Sequence, residues 1–134
     1  MPEGIVRVGL IGCGGIAPAH LDAYQLNEKA RVVGVMDVDE SRAAALAKSA
    51  GATPYTDYLQ MIEKERLDAV SLLTPPSSHR EIAEHVLAAG VHLFAEKPLA
   101  WTAAEGQAMA EAARRAGKLL MVAQCHRFHE PVRR

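Results

Sequence analysis

The sequence is poor in aromatic residues, cysteine and net charge. Aromatics make up 4% of its 134 residues, so a core must be built from aliphatic side chains and alanine, which suits helices packed on a parallel sheet. Two cysteines, Cys13 and Cys125, are too few for a disulfide framework and favour a cytoplasmic protein. The formal net charge of -1 leaves no basic excess to attract a polyanion, so we expect no nucleic-acid partner.

Long apolar runs are also missing. The longest have the length of a β-strand, well short of the roughly 18 residues that a membrane span needs, so we expect no membrane partner. The opening residues 1–4 lack the basic start and apolar stretch of a signal peptide. Apolar residues nevertheless make up 49% of the chain, which is enough for the core of one ordinary domain.

Short apolar runs alternate with stretches of helical pattern along the chain. From these runs we predict six strands, at residues 6–11, 32–36, 53–55, 69–73, 91–95 and 119–123. The run at 53–55 contains proline and is therefore placed at a sheet edge. Strands that alternate with helices form parallel sheets, and strands that are apolar throughout need helices on both faces. The sequence thus predicts an α/β fold, a doubly wound parallel sheet in three αβα layers.

Capping patterns predict where the helices begin and end. Ser78 with Glu81, and Thr102 with Glu105, have the spacing of a capping box, in which hydroxyl and carboxylate each accept a free backbone N–H. Asp57 and Gln60 offer a looser version of the same pattern. The helical runs are followed by three glycines that can adopt a left-handed conformation, Gly51, Gly90 and Gly117.

A glycine-rich turn follows the first predicted strand directly, with the sequence GCGGIA at residues 12–17. This is the G-x-G-x-x-A form of the dinucleotide fingerprint, in which Gly12 permits the tight turn, Gly14 admits a pyrophosphate and Ala17 keeps the next helix close. The helix N-terminus would offer its free N–H groups to the phosphates, so we assign Gly15 and Ile16 to the same cofactor site. The alternative is a structural turn without a ligand.

An acidic residue, Asp37, closes the second predicted strand, about 20 residues after the turn, where a carboxylate accepts hydrogen bonds from an adenosine ribose. The same carboxylate would repel a 2′-phosphate, so NAD is favoured over NADP as cofactor. Arg42 acts in the opposite sense, because a nearby arginine can accept a 2′-phosphate. Asp37 could instead be a solvated turn residue or a helix cap, although Asp39 is better placed to cap the helix near Ser41.

Four motifs in order make the sequence resemble one family. They are VGLIGCGGIA at 8–17, TPPSSH at 74–79, EKPLA at 96–100 and QCHRFHEP at 124–131. Together they resemble the Gfo/Idh/MocA oxidoreductases, and the resemblance covers essentially the whole chain. It implies a Rossmann domain that binds NAD(P), in an enzyme that transfers hydride between this cofactor and a CH–OH group of a sugar, cyclitol or related polyol.

The second motif follows the predicted strand 69–73, at the sheet edge where loops line the ligand crevice. Its two prolines, Pro75 and Pro76, hold the loop outward and delay the next helix. The resemblance implies that Thr74 and Pro75 lie beside the cofactor. It also implies that His79 faces the nicotinamide side or braces the loop, whereas the residues alone allow a solvated ring in the first helical turn.

Lys97 in the third motif is the candidate catalytic residue. It follows the strand 91–95 and brings a mobile cation to the same crevice, where it could bind a ribose, polarise a substrate hydroxyl or share in proton transfer. An exposed Glu-Lys pair before a turn is the alternative. The resemblance implies the first two roles, a steadying role for Glu96 and a cis bond before Pro98. We therefore place Glu96, Lys97 and Pro98 at the cofactor site.

The last motif brings Cys125, His126 and His129 close together in sequence. No second cluster accompanies them, and this is not the usual spacing of a zinc site, so we expect no metal. We predict a dinucleotide-binding domain at 1–123 and a segment at 124–134 that leads toward a C-terminal substrate domain.

The resemblance implies that this second, α+β domain supplies the substrate contacts and a catalytic histidine, and no positions up to Arg134 match it. We therefore expect the chain alone to bind cofactor without full catalysis, the sugar or polyol being held by the other domain. Apolar surface left near the crevice would favour a homo-oligomer. The alternative function is a non-catalytic NAD-binding sensor or interaction module, which would have no evident use for Lys97.

Overall fold

Six parallel strands form one sheet in the computed structural model, which describes residues 4–129. They are β1 (Val6–Ile11), β2 (Ala30–Met36), β3 (Thr53–Tyr55), β4 (Ala69–Leu72), β5 (His92–Ala95) and β6 (Leu120–Val122). Their order in the sheet is β3-β2-β1-β4-β5-β6, and each neighbouring pair is parallel. The winding direction reverses between β1 and β4, which opens a crevice at their carboxyl ends.

Helices cover both faces of this sheet. They are α1 (Ala17–Gln25), α2 (Glu40–Ala50), α3 (Tyr58–Glu65), α4 (His79–Ala88) and α5 (Ala103–Ala116). Helices α1 and α2 share one core cluster with the sheet, around Leu10 and Leu21. Helices α3, α4 and α5 share the larger cluster on the other face, around Met61 and Leu87. The predicted doubly wound, three-layer α/β fold is confirmed.

The strands lie close to their predicted bounds. β1 and β3 begin and end where the apolar runs do, and the other strands differ by one or two residues at an end. β3 is an edge strand, as Pro54 indicated. All three glycines predicted to end helices have positive φ angles, +63° at Gly51 and Gly117 and +80° at Gly90.

Helix α3 packs closely against two strand residues that have no side chain. A Cβ atom on Gly9 would lie 2.9 Å from the Met61 Cε, and one on Gly34 would lie 2.9 Å from the Met61 Cγ. Met61 is fully buried in this space. The register between β1 and β2 also shifts at this point, between Val8 and Gly9.

Side chains cap α5 and α3 at predicted positions. The Thr102 hydroxyl accepts the N–H of Glu105, and the Glu105 carboxylate accepts the N–H of Thr102, which completes the capping box of α5. The Asp57 carboxylate accepts the N–H of Leu59 and caps α3. These bonds satisfy N–H groups that the helix cannot pair by itself.

The capping box predicted for α4 is wrong. A 3-10 turn, Pro76–Ser78, leads into α4, so Ser78 already has helical backbone angles and makes no capping hydrogen bond. Its hydroxyl instead donates back to the hydroxyl of Thr74, over 2.7 Å. The hydroxyl is therefore used inside the loop and is turned away from Glu81.

Helix α5, with 14 residues, is the longest helix of the described residues. Within residues 4–129, no helix has both the length and the apolar character needed to cross a membrane.

Candidate functional site

A cleft of about 830 Å³ opens at the carboxyl ends of the central strands. Its walls are the loops that follow β1, β2, β4 and β5, as the reversal of strand order requires. The cleft is lined by residues from each of these loops, among them Gly12, Gly14, Ile16, Asp37, Thr74, Pro75, Glu96 and Lys97. The structure thus brings together residues that the sequence places in four separate segments.

Four further predicted site residues do not line this cleft. Gly15 and Pro98 are exposed beside it, whereas Ala17 and His79 are buried behind its wall. The assignment of His79 to direct cofactor contact is therefore not supported by its position.

The glycine turn leaves space where a ligand would approach the backbone. Gly12 has a φ of +100°, and a Cβ atom there would lie 2.9 Å from the carbonyl carbon of Leu73. A Cβ atom on Gly14 would meet nothing within 4 Å, so the space above it belongs to the cleft. No side chain caps the N-terminus of α1, although its first N–H, that of Ala17, already donates to the carbonyl of Gly14 over 3.1 Å.

Asp37 is fixed at the floor of the cleft by backbone hydrogen bonds. Its side chain is buried, and one carboxylate oxygen accepts the N–H of Cys13 over 2.8 Å while the other accepts the N–H of Asp39 over 2.8 Å. Asp37 is thus neither a solvated turn residue nor the cap of α2. Asp39 caps α2 by accepting the N–H groups of Ser41 and Arg42, as predicted.

Two carboxylates engage the guanidinium of Arg42. Its Nη2 lies 3.3 Å from Asp37, and its Nε lies 3.5 Å from Asp39. The hydroxyl of Ser41, with the N–H and charge of Arg42, holds the pKa of Asp39 below its usual value. The positive charge of Arg42 is therefore balanced by two carboxylates.

The thiol of Cys13 lies within the turn and is half-buried. Burial, and secondarily the Asp37 carboxylate, raise the pKa of Cys13 to about 11. Because the thiolate is the reactive form of cysteine, this thiol stays protonated and unreactive near neutral pH. It occupies the variable position of the fingerprint and has no redox role in our interpretation.

His79 connects two loops of the cleft from behind. Its ring is fully buried, with Nε2 2.7 Å from the carbonyl oxygen of Thr74 and Nδ1 2.9 Å from that of Leu99. The solvated ring in the first helical turn is thus excluded. His79 braces the loop after β4 against the loop that carries Lys97.

Lys97 lies on the loop after β5 and lines the cleft. The Lys97-Pro98 bond is cis, as the family resemblance implied. Lys97 is exposed, and among residues 4–129 its ammonium makes no ion pair. The cation is therefore available to a ligand.

His20 is a neighbour of the site that the sequence did not single out. Its Nε2 lies 2.8 Å from a carboxylate oxygen of Glu96, and both side chains are mostly buried. One turn later on α1, the hydroxyl of Tyr24 lies 2.7 Å from that of Ser71. His20 and Tyr24 thus form a polar stripe at helical spacing, the one sequence feature that could have drawn attention to them.

The segment after β6 forms a short 3-10 turn, Cys125–Phe128. The rings of His126 and His129 stack with centroids 5.2 Å apart. Among residues 4–129 no group of three or more histidine, cysteine or acidic side chains is arranged to hold a metal ion. The rest of the predicted exit segment, residues 130–134, lies outside the described residues.

Known proteins match this chain along most of its length. Residues 6–124 match the family model GFO_IDH_MocA, described as an oxidoreductase family with an NAD-binding Rossmann fold. D-apiose dehydrogenase from Paraburkholderia graminis is 36% identical over 124 residues, which are 92% of this chain and 33% of that protein. Inositol 2-dehydrogenase 2 from Saccharopolyspora erythraea is 35% identical over 126 residues, 92% of this chain and 37% of that protein.

Solved structures of similar proteins share the fold closely. The WlbA dehydrogenase from Bordetella pertussis, in complex with NADH and UDP-GlcNAcA, has a TM-score of 0.92 at 32% identity over 96% of this chain and 40% of its own. KijD10, a 3-ketoreductase from Actinomadura kijaniata in complex with NADP and TDP-benzene, has a TM-score of 0.90 at 31% identity, with the same coverage of 96% and 40%. The chain thus spans between a third and two fifths of the length of these relatives.

Proposed function

Since the chain belongs to the Gfo/Idh/MocA oxidoreductase family, we propose that it binds NAD in the cleft at the carboxyl ends of β1, β2, β4 and β5. The observation that carries this proposal is the open space above Gly14, next to the buried carboxylate of Asp37. One feature admits a pyrophosphate and the other accepts hydrogen bonds from a ribose.

Different parts of the cleft contact different parts of the proposed cofactor. Gly12 sets the turn, and the backbone around Gly14, Gly15 and Ile16 faces the phosphates. Asp37 uses both oxygens for backbone N–H groups, but a carboxylate accepts about four hydrogen bonds. It therefore keeps capacity for a ribose hydroxyl.

The same carboxylate supports the preference for NAD over NADP. A 2′-phosphate would lie against Asp37, whose negative charge repels it. Arg42 would counteract this repulsion only if it left its pairing with Asp37 and Asp39. We propose that this pairing keeps the site selective for NAD.

The proposed reaction is hydride transfer between the nicotinamide and a CH–OH group of a sugar, cyclitol or related polyol. The bound nicotinamide supplies the hydride chemistry, which no amino-acid side chain offers. Lys97 lies at the cleft with an ammonium that forms no ion pair within residues 4–129 and can polarise a substrate hydroxyl. Thr74 and Pro75 form the facing wall, and His79 and Glu96 hold the two loops.

We further propose that residues 1–123 are the cofactor domain and that 124–134 lead toward a substrate domain, because the relatives are much longer than this chain. The remaining substrate contacts and the catalytic base then belong to that substrate domain. The chain alone is accordingly expected to bind cofactor without full catalysis.

Two further properties are part of this proposal. Cys13 and Cys125 are free thiols, which supports a cytoplasmic location. Leu119, Met121 and Phe128 are large, apolar and exposed at the β6 end of the sheet, which supports association of two copies of the chain.

Calorimetric titration with NADH and, separately, NADPH tests the proposal. We expect NADH to bind at least about tenfold more tightly, which corresponds to about 1.4 kcal/mol. Asp37→Asn should bring the two affinities together, because it removes the charge and keeps the shape. Asp57→Asn is the matched control and should keep the preference, since Asp57 caps α3 and does not line the cleft. A folded chain that binds neither nucleotide would contradict the proposal.

A further inference from the structure

The carboxylate of Glu96 is turned away from the lysine that follows it in the sequence. One of its oxygens lies 2.8 Å from the Nε2 of His20, and the other accepts the N–H of Lys97 over 3.1 Å. Only the backbone of Lys97 takes part in this arrangement. Both carboxylate oxygens are thus engaged, and the Lys97 ammonium is paired with neither.

His20 is built to hold this carboxylate. It lies on α1, one turn after the glycine turn, with its side chain only 12% exposed. Its ring rests near that of Phe94 on β5, with centroids 5.7 Å apart, which limits where the ring can turn. Because an ionised carboxylate only accepts hydrogen bonds, Nε2 of His20 carries the hydrogen and donates it to Glu96.

Without this partner, the cation that adjoins Glu96 in the sequence is Lys97 itself. The two residues are adjacent, and the lysine carries its ammonium on an exposed, flexible four-carbon chain. A carboxylate close to an ammonium stabilises its charged form and competes for its three donors. The proposed role of Lys97 requires those donors to be free for a hydroxyl of the substrate or cofactor.

We propose that His20 is a positioning residue that holds Glu96 against α1 and thereby leaves the Lys97 ammonium unpaired. This inference deepens the proposed function and rests on it, because it explains how an acidic neighbour is kept from neutralising the candidate catalytic lysine. The pair also joins α1, the helix that follows the glycine turn, to the loop that carries Lys97.

The reactivity of the Lys97 amine tests this inference without any catalytic assay. The whole chain is labelled at pH 8 with a small excess of acetic anhydride, and the modification of each lysine is followed by peptide mass spectrometry. In His20→Ala, the labelling rate of Lys97 should fall about three- to tenfold, since the freed carboxylate stabilises the unreactive ammonium. Lys48, exposed on α2, is the internal reference and should be unchanged.

Two further variants separate this effect from damage to the fold. His20→Ala combined with Glu96→Gln should restore the labelling of Lys97, because no carboxylate remains to pair with it. His20→Gln keeps an N–H donor for Glu96 and should label like the natural chain. Unchanged labelling of Lys97 in a folded His20→Ala variant would overturn the inference, as would failure of the double variant to restore it.

Binding of NADH to the same samples keeps the two proposals apart. If the natural chain binds NADH but Lys97 labels equally with and without His20, the positioning role is wrong and the cofactor role stands. If Lys97 responds to His20 as expected but NADH does not bind, the positioning contact is supported and the cofactor role is wrong.

Discussion

Two glycines in one turn, Gly12 and Gly14, are required for different reasons. Gly12 combines a φ of +100° with backbone atoms of the Leu73–Thr74 link about 3 Å from where a Cβ would be. Its lack of a side chain is a condition of folding. A Cβ atom on Gly14 would meet nothing within 4 Å, so folding does not require glycine there. The missing side chain matters only when a ligand occupies the space above the backbone.

Alanine at each position should separate the two requirements. Gly12→Ala should lower the free energy of unfolding by about 1–3 kcal/mol from backbone strain, with the contact to Leu73 adding to it. Gly14→Ala should leave stability within about 0.5 kcal/mol and weaken NADH binding at least about tenfold. Urea unfolding and calorimetry measure the two quantities. If Gly14→Ala binds NADH as tightly as the natural chain does, the space above Gly14 does not hold the cofactor.

The site could be predicted where its residues carry a local pattern. The glycine turn, Asp37 and the Lys97 loop each follow an apolar strand, and parallel strands bring such loops to one edge. The pairing of His20 with Glu96 joins residues 76 positions apart. No local pattern around either residue indicates the other as its partner, so the contact could not be predicted from the sequence.

At the scale of the element, helix starts also depend on more than the local pattern of residue types. The capping box of α5 forms because Thr102 has extended backbone angles, which aim its hydroxyl at the N–H of Glu105. Ser78 has the same spacing to Glu81 but is the last residue of a 3-10 turn, and its hydroxyl donates back to that of Thr74. Both sequences place a hydroxyl three residues before a glutamate, and the backbone angles of the hydroxyl residue decide whether the box forms.

Removing the two glutamates should reveal this difference. Glu105→Ala should destabilise the protein by about 1 kcal/mol, because the N–H groups at the start of α5 lose their acceptor. Glu81→Ala should cost only a few tenths of a kcal/mol, the size of a carboxylate's interaction with a helix N-terminus. Thermal unfolding of both variants provides the comparison. A larger loss for Glu81→Ala than for Glu105→Ala would contradict the capping assignments.

At the scale of the whole molecule, several acidic protons are held more tightly than in free side chains. Burial raises the pKa of Tyr24, and it raises that of Cys13 to about 11. Burial and the hydrogen bond to Glu65 raise the pKa of Tyr55 to about 12. A group whose pKa is raised by folding stabilises the fold while it is protonated and loses that contribution as the pH rises.

The fold should therefore lose stability on the alkaline side. For Cys13 the contribution is complete below pH 9, the ordinary pKa of the thiol, and disappears as the pH rises through about 11. Cys13→Ala should reduce the loss of unfolding free energy over that interval by about 1 kcal/mol, discounted for solvent screening of a half-buried group. Cys125→Ala, at an exposed position, is the control and should follow the natural chain. Urea unfolding at pH 8, 9, 10 and 11 measures both, and identical curves for the two variants would refute the assignment.

The cleft draws its walls from loops that lie far apart along the chain, the first at Gly12 and the last at Lys97. Synthesis on the ribosome proceeds from the N-terminus, so the glycine turn leaves the exit tunnel long before the Lys97 loop does. During that interval a nascent chain can offer only part of the wall to a nucleotide. A ligand that needs every loop can thus stabilise the finished domain but cannot guide the folding of its first half.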